Sequence, residues 1–432
     1  MIPVNDARVL KIRLNSVDVG HITYFLDGKS IFTFDEAYIE RGPGRPILSL
    51  SFTDPESEDN TEKILRDIYS SMIKLPPYFS NLLPEGVLRQ YLVKKMKIHS
   101  DHEFFMLEAL GDNLSGAVVA EPTDTIPEAV LQGQIRPGAH LSEPVKKPLP
   151  FALAGAQLKF SMIESGGRFS FENGEGEWII KPPHPSFPAV PANEYAMMKL
   201  AEAAGVVIPE VRLVPIKDLD LGKLEELNVP RGEDFAYAIR RYDRTPEGRV
   251  HSEDFAQVFN AYGDKEYTAT NYDSMGRLIF AIFPDRHAQI EQFLRRLVVN
   301  ILVGNADAHL KNSSILYADG KSPSLSPAYD IVSTIQYTKD YQTALNLSKE
   351  KTFYVFKQEH FERFARRIKL PEKVAIDIIQ STMSDVNKRW KSTLSAMSVS
   401  KELRTTLQDH WSKLDPLIRP QIPLSSNVGL LL

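Results

Sequence analysis

The ten residues Val303 to Asn312 read Val-Gly-Asn-Ala-Asp-Ala-His-Leu-Lys-Asn, which places Asp307 five positions before Asn312. A carboxylate so placed accepts the proton of an attacking hydroxyl, and an asparagine at that spacing offers an amide oxygen to magnesium, as in phosphoryl-transfer loops. Lys311 would meet the transferred phosphate, and His309 would either pack within the loop or touch nucleotide. Asn, Asp and His also gather in loops because they tolerate turns. Asn305, Asp307, His309, Lys311 and Asn312 within eight residues form a denser cluster than turn-forming alone requires.

Phosphoryl transfer also needs positive groups and a metal around the phosphates. Three further segments carry such residues. The small-residue loop Leu153-Ala154-Gly155-Ala156-Gln157-Leu158-Lys159 would turn backbone N–H groups toward phosphate oxygens. An ordinary hairpin is the competing reading, since the loop fits neither the Walker pattern nor the Gly-x-Gly-x-x-Gly pattern. Trp178-Ile179-Ile180-Lys181 is an apolar strand ending in a lysine, with Glu194 thirteen residues on. Glu194 would either pair with Lys181 and orient it, or simply favour a helix N-terminus. Asp330, in Ala328-Tyr329-Asp330-Ile331 and 18 residues beyond Asn312, is flanked by apolar side chains. A charge there is costly unless paired or metal-bound, and helix capping is the alternative.

Phe293, Leu294, Leu297, Val298, Ile301 and Leu302 recur at three- and four-residue spacing, which predicts a helix with one buried face. Gly304 ends it and frees the loop. Residues 8–52 alternate in short runs with an Asp27-Gly28 turn, which predicts a small antiparallel sheet. Residues 60–92 have helical spacing broken at Pro76-Pro77 and at Asn81 to Gly86, and a further helix is expected from His102 to Leu110. Six prolines between Glu121 and Pro150 mark a connection. Strands are expected at 151–162, 168–171, 177–181, 206–215 and 235–242, around a helix from Asn193 to Gly205. From His251 onward the expected content is helical apart from a strand at Ser314 to Tyr317. This order predicts an α+β, two-lobed, protein-kinase-like fold: an N-terminal β-rich subdomain (1–120), a linker (121–150), a small-lobe-like ATP-binding part (151–250) and a mainly helical C-terminal lobe (251–432).

Composition narrows the classes. The 432 residues are 43% hydrophobic and 25% charged, enough for a large core. The 51 Lys plus Arg against 56 Asp plus Glu, a net charge of -5, argue against coating nucleic acid by bulk charge. Without cysteine there is neither a disulfide nor a thiolate nucleophile. The N-terminal residues lack the pattern of a secretion signal, and no segment has the roughly 18 apolar residues that a spanning helix needs. A cytoplasmic location, with no membrane association, is expected.

The chain resembles the HipA family of serine/threonine-protein kinase toxins from bacterial toxin–antitoxin pairs. The resemblance rests on Asn81-Leu82-Leu83-Pro84-Glu85-Gly86, Phe104 to Leu110 with Ser115-Gly116-Ala117, the Ala154 to Lys159 loop, Ile180-Lys181, Arg241-Tyr242-Asp243-Arg244, and above all Gly304 to Asn312 with Ala328-Tyr329-Asp330. It implies that Ala154, Gly155, Ala156, Gln157, Leu158 and Lys159 cover the phosphates of ATP and that Lys181 contacts them. Arg240, Arg241 and Tyr242 would line the adenine hinge; His309, Leu310, Lys311, Asn312, Tyr329 and Asp330 would complete the ATP site. Asn312 and Asp330 would hold Mg2+, and Asp307 would be the catalytic acceptor.

The family commonly carries an autophosphorylated serine just before the loop; here that position is Ala152, which excludes self-inactivation at this site. The implied partners are a HipB-like helix-turn-helix antitoxin, operator DNA reached mainly through that antitoxin, and an aminoacyl-tRNA synthetase, typically glutamyl, as protein substrate. The implied outcome is blocked translation, dormancy and, with the antitoxin, transcriptional corepression. A small-molecule or lipid kinase of the same fold, and a non-catalytic nucleotide-binding corepressor, stay open. The basic cluster Asn387-Lys388-Arg389-Trp390-Lys391 would touch DNA or form a solvated helix face.

Overall fold

The computed structural model describes residues 7–25, 27–96, 98, 102–127, 130, 159–170, 176–220 and 233–422. The Ala154–Leu158 loop and Ala152 lie outside the described residues, as does most of the expected linker.

The N-terminal part is a five-stranded antiparallel sheet. β1 (Arg8–Leu14), β2 (Val17–Tyr24) and β3 (Lys29–Phe34) form a meander. Asn15, at φ 52, opens the first tight turn. Helix α1 (Glu58–Leu65) leads into β4 (Tyr69–Met72), and helices α2 (Gly86–Met96) and α3 (Glu103–Leu110) precede β5 (Val118–Thr123). The sheet order is β4-β3-β2-β1-β5. β4 lies where helical spacing was expected: Ile64, Leu65, Ile68, Tyr69 and Met72 recur at helical intervals, yet Ile68 and Met72 end 43% and 58% exposed. Pairing with the open edge of β3 overrides the pattern.

The second sheet contains β6 (Phe160–Ser165), β7 (Arg168–Ser170), β8 (Trp178–Lys181), β9 (Val211–Pro215) and β10 (Phe235–Arg240), ordered β7-β6-β8-β10-β9. Helix α4 (Val190–Ala203) crosses between β8 and β9. Because strand side chains alternate faces, β10 serves two cores. Ala236 and Ala238 join Phe160, Trp178 and Ile180 in the core shared with the N-terminal part. Tyr237 and Ile239 join Met197, Leu200 and Ala201 of α4 in the core of the helical lobe.

That lobe begins with β11 (His251–Asp254), followed by α5 (Tyr272–Ile282) and α6 (Arg286–Val303). It continues through β12 (Ser314–Tyr317), β13 (Ser324–Leu325), β14 (Gln342–Leu347) and β15 (Glu350–Thr352), and closes with α7 (Gln358–Ile368), α8 (Glu372–Ser395) and α9 (Lys401–Lys413). The strand expected at Ser314 to Tyr317 is therefore one of several. β12 sits between β11 and β13, and such short strands are fixed by tertiary pairing rather than by local pattern. In α8, Trp390 is buried while its basic neighbours Lys388, Arg389 and Lys391 are exposed. Among the described residues no helix is long and apolar enough to cross a membrane.

Helix α6 is the scaffold of the 304–312 loop. Its side chains from Phe293 to Val303 are buried, Asn300 apart. The last carbonyls of a helix lack intrahelical donors, and α9 supplies them: His410 Nε2 lies 2.7 Å from Ile301 O, and Trp411 Nε1 donates to Leu302 O at 2.8 Å. Gly304 ends the helix at φ 66, the left-handed conformation in which glycine is the natural stop.

Candidate active site

Lys181 ends β8 almost fully buried, and its Nζ donates to Glu194 Oε1 of α4 at 2.6 Å and to Asp330 Oδ1. Burial alone would lower the ammonium, but the two carboxylates outweigh it and hold Lys181 above its ordinary range. Burial would raise Asp330; Lys181 and then Lys159 outweigh it and hold the carboxyl at about 2. Asp330 has φ 55, a strained conformation for a residue with a Cβ. It caps no helix. Asn305 holds it there, donating through Nδ2 to Asp330 O at 3.2 Å and to Asn300 Oδ1 at 2.8 Å, while accepting from Asp307 N at 3.0 Å.

Lys181 and Lys159 both act on Asp330, and Lys311 lies near enough to Lys159 to repel it. Burial lowers the Lys159 ammonium, Asp330 opposes this, and the like charges of Lys181 and Lys311 add to the lowering. Such a cluster of cations is unfavourable by itself and suits an anion with several charges.

Lys311 is buried and pairs with Glu85 from the N-terminal part. Asp307 is half exposed and accepts a hydrogen bond from Tyr267 Oη. His309 lies with Nε2 3.6 Å from Glu266 Oε1 and 3.8 Å from Asp307 Oδ1, and burial lowers its pKa. Burial, then Glu85, pushes Glu266 up to about 8. Asn312 Nδ2 donates to Asp307 O at 2.6 Å, which leaves the amide oxygen as the end it can offer a cation. Oxygen donors from Asn312 and Asp330 suit magnesium, which takes few protein ligands and completes its shell with phosphate and water.

These groups line one cavity of about 590 Å³, which Lys159, Lys181, Arg240, Tyr242, Tyr329 and Val332 also border. That volume holds a nucleotide-sized ligand. Tyr242 and Tyr329 have ring centroids 5.7 Å apart, and Tyr329 Oη donates to Lys311 O at 2.8 Å, so this wall is tied to the 304–312 loop. Arg240 is half exposed and bonds Glu177 at 3.1 Å.

Two expected site residues are held mainly by other contacts. Arg241 is buried, and its guanidinium is bidentate on Asp243 at 2.9 and 2.8 Å. Asp243 also accepts from Gly116 N at 2.7 Å, and Arg244 donates to Gly116 O and Leu114 O, each at 2.9 Å. Arg241-Tyr242-Asp243-Arg244 is thus a seam to the N-terminal part. Leu310 is a core side chain and does not border the cavity. Conversely, Glu85, Asp254, Glu266 and Tyr267 border the cavity. The partners of Glu85, Glu266 and Tyr267 lie far away in sequence, and of these only Glu85 lies in a motif, Asn81 to Gly86; Asp254 is marked locally, by its capping box with Gln257.

Residues 10–121 match the family model described as the HipA N-terminal domain, and residues 151–390 match the HipA-like C-terminal domain. The chain belongs to the HipA family. Y4dM of Sinorhizobium fredii is 38% identical over 414 residues, covering 93% of this chain and 96% of that protein. The serine/threonine-protein kinase toxin HipA of Shewanella oneidensis is 26% identical over 309 residues, covering 64% of this chain and 66% of its own. The Shewanella oneidensis HipA solved in complex with HipB and operator DNA has TM-score 0.70 at 18% identity, covering 95% and 96% of the two chains. The HipA-family chain thus has the two-lobed, kinase-like α+β fold that its segment order predicts.

Proposed function

We propose that this HipA-family chain transfers the γ-phosphate of Mg-ATP to a serine or threonine hydroxyl of a protein, with Asp307 as the acceptor of the hydroxyl proton. The observation that carries the reading is Lys181, held between Glu194 and Asp330 in the cavity that Asp307 also borders. Such a lysine is aimed at phosphate without being free to collapse onto other acids.

Magnesium-bound ATP supplies the electrophilic phosphorus and a neutralised leaving group. The chain does the rest by position and charge. Lys181 and Lys159 contact the phosphates, and the family resemblance gives the Ala154–Leu158 segment the role of covering them. Asp330 and Asn312 hold the metal through oxygen. Arg240 to Tyr242 border the adenine end, where the backbone rather than the Arg240 side chain makes the contacts. Lys311 balances charge on the transferred group, and Asp307 orients the acceptor hydroxyl and takes its proton. Fixed charges in a walled cavity stabilise the transition state without reorganising.

The biological reading follows the family. The chain is a toxin in the cytoplasm, restrained by a HipB-like helix-turn-helix antitoxin that brings the pair to operator DNA. Its acceptor is glutamyl-tRNA synthetase, and phosphorylation there halts translation and leads to dormancy.

Purified protein incubated with labelled ATP, Mg2+ and glutamyl-tRNA synthetase tests this. Synthetase labelling that disappears with Asp307→Gln, while ATP binding persists, is expected. Undiminished labelling by that variant removes Asp307 from its role; labelling of a lipid or metabolite instead moves the acceptor class; ATP binding without turnover makes the chain a nucleotide-bound corepressor.

A further inference from the structure

Tyr267 places the only side-chain hydroxyl hydrogen-bonded to Asp307 among the described residues. That is the position an acceptor hydroxyl must take, since the base has to reach the proton it removes. Little else fixes the tyrosine. Its ring meets His309 edge-on at 4.9 Å, it remains 39% exposed, and it follows the short turn Gly263–Lys265, held by the local hydrogen bonds of Lys265 N to Tyr262 O and Thr268 N to Lys265 O. The phenol sits on Asp307 Oδ1 in the place an acceptor hydroxyl would take, and its exposed ring leaves it room to depart.

Resting on the phosphotransfer reading above, we propose that Tyr267 is a phosphorylation site of the chain itself, the intramolecular acceptor of the γ-phosphoryl group. The Tyr267 oxygen forms a bond to the γ-phosphorus, the bond from that phosphorus to the β-γ bridging oxygen breaks, ADP leaves, and the phenolic proton passes to the Asp307 carboxylate. Burial and then the hydrogen bond to Asp307 hold the phenol above its usual range, so it stays neutral and needs the base beside it. Lys311 and His309 flank the path on the same loop. The product cannot remain where the phenol was: a phosphate dianion against Asp307 is repelled, and the exposed ring has solvent to turn into.

The test is site mapping by mass spectrometry after the full chain is incubated with Mg2+ and labelled ATP, with glutamyl-tRNA synthetase present as an external acceptor. The expected result is up to one phosphate per chain, on Tyr267, formed at a rate per molecule independent of protein concentration and absent from both Asp307→Asn and Tyr267→Phe. Labelled synthetase with no phosphate at Tyr267 overturns this proposal and leaves the phosphotransfer reading standing. No label on either protein overturns both. Label at Tyr267 that persists in Asp307→Asn also overturns it, because the proton acceptor would then be another group.

Discussion

Glu85 and Lys311 stand 226 residues apart and meet as an ion pair at the edge of the cavity, the lysine almost fully buried and the glutamate 27% exposed. The pair joins the N-terminal part to the loop that carries Asp307. Asp254, raised to about 6 by burial and pulled down by Lys311, faces the same ammonium. The N-terminal domain is therefore wired into the site rather than appended to it. His251 Nε2 at 2.8 Å from Leu48 O, Leu50 N donating to Glu253 at 2.9 Å and Asn81 donating to Ala261 O at 2.7 Å extend the seam.

Glu85→Gln should destabilise the chain by about 2 kcal/mol, below the roughly 3–5 kcal/mol for breaking a fully buried pair, because solvent screens the exposed carboxylate. Urea denaturation measures it. A double-mutant cycle with Lys311→Met should show a coupling of at least about 1 kcal/mol; strictly additive effects would mean that Lys311 relies on Asp254 instead.

Glu194→Gln keeps a hydrogen-bond acceptor for Lys181 but removes its charge, so the lysine shifts toward Asp330 and away from phosphate. A loss of kcat/KM for ATP on the order of tenfold, about 1.4 kcal/mol, is expected in the phosphotransfer assay. Lys181→Arg should not substitute, since a planar guanidinium cannot sit between the two carboxylates as an ammonium does. Wild-type kinetics from either variant would show that the pairing is only structural.

The candidate residues that border the cavity were legible because each lies in a local pattern: Asp307 and Asn312 in a spacing, Lys181 at a strand end, Asp330 between apolar neighbours. Helix α6 was legible from its periodicity, and α3 and α4 emerged within a few residues of expectation. What local pattern does not encode is pairing across the chain. β4, β14 and β15 exist because a partner strand lies beside them, and Arg241 turns to Asp243 because Gly116 completes the carboxylate's shell. Glu266 and Tyr267 reach the site from a turn with no motif of its own. Sequence spacing singled out residues that meet at one cavity; distant contacts decide how they are held.

Gly304→Ala should destabilise by about 2–3 kcal/mol, combining the cost of a left-handed non-glycine residue with overpacking. At φ 66, a Cβ there would lie 2.4 Å from Ile335 Cδ1. Thr334 N and Ile335 N both donate to Gly304 O, so the displacement would also disturb the segment after Asp330. Denaturation midpoints for Gly304→Ala and for Gly304→Ala with Ile335→Val test this: the second change should recover part of the loss, and no recovery would leave backbone strain as the whole cause.

His410 makes stability fall in acid. Burial lowers its pKa to about 4, from an ordinary value of about 6.5, because the ring sits 1% exposed between Ile301 O and Tyr354 Oη, at 2.7 and 3.2 Å. Between those two values the unfolded chain binds a proton that the folded chain does not, so this contribution is present above about pH 6.5 and lost as pH falls toward 4. The loss is about 3 kcal/mol from the size of the shift. His410→Gln keeps a donor for Ile301 O and has no charge to gain. Its unfolding free energy should therefore fall less steeply than wild type between pH 6.5 and 4.5, measured by urea denaturation at both. Parallel pH profiles would show that His410 takes up its proton equally in the folded and unfolded chain and that its burial is not what acid destabilises.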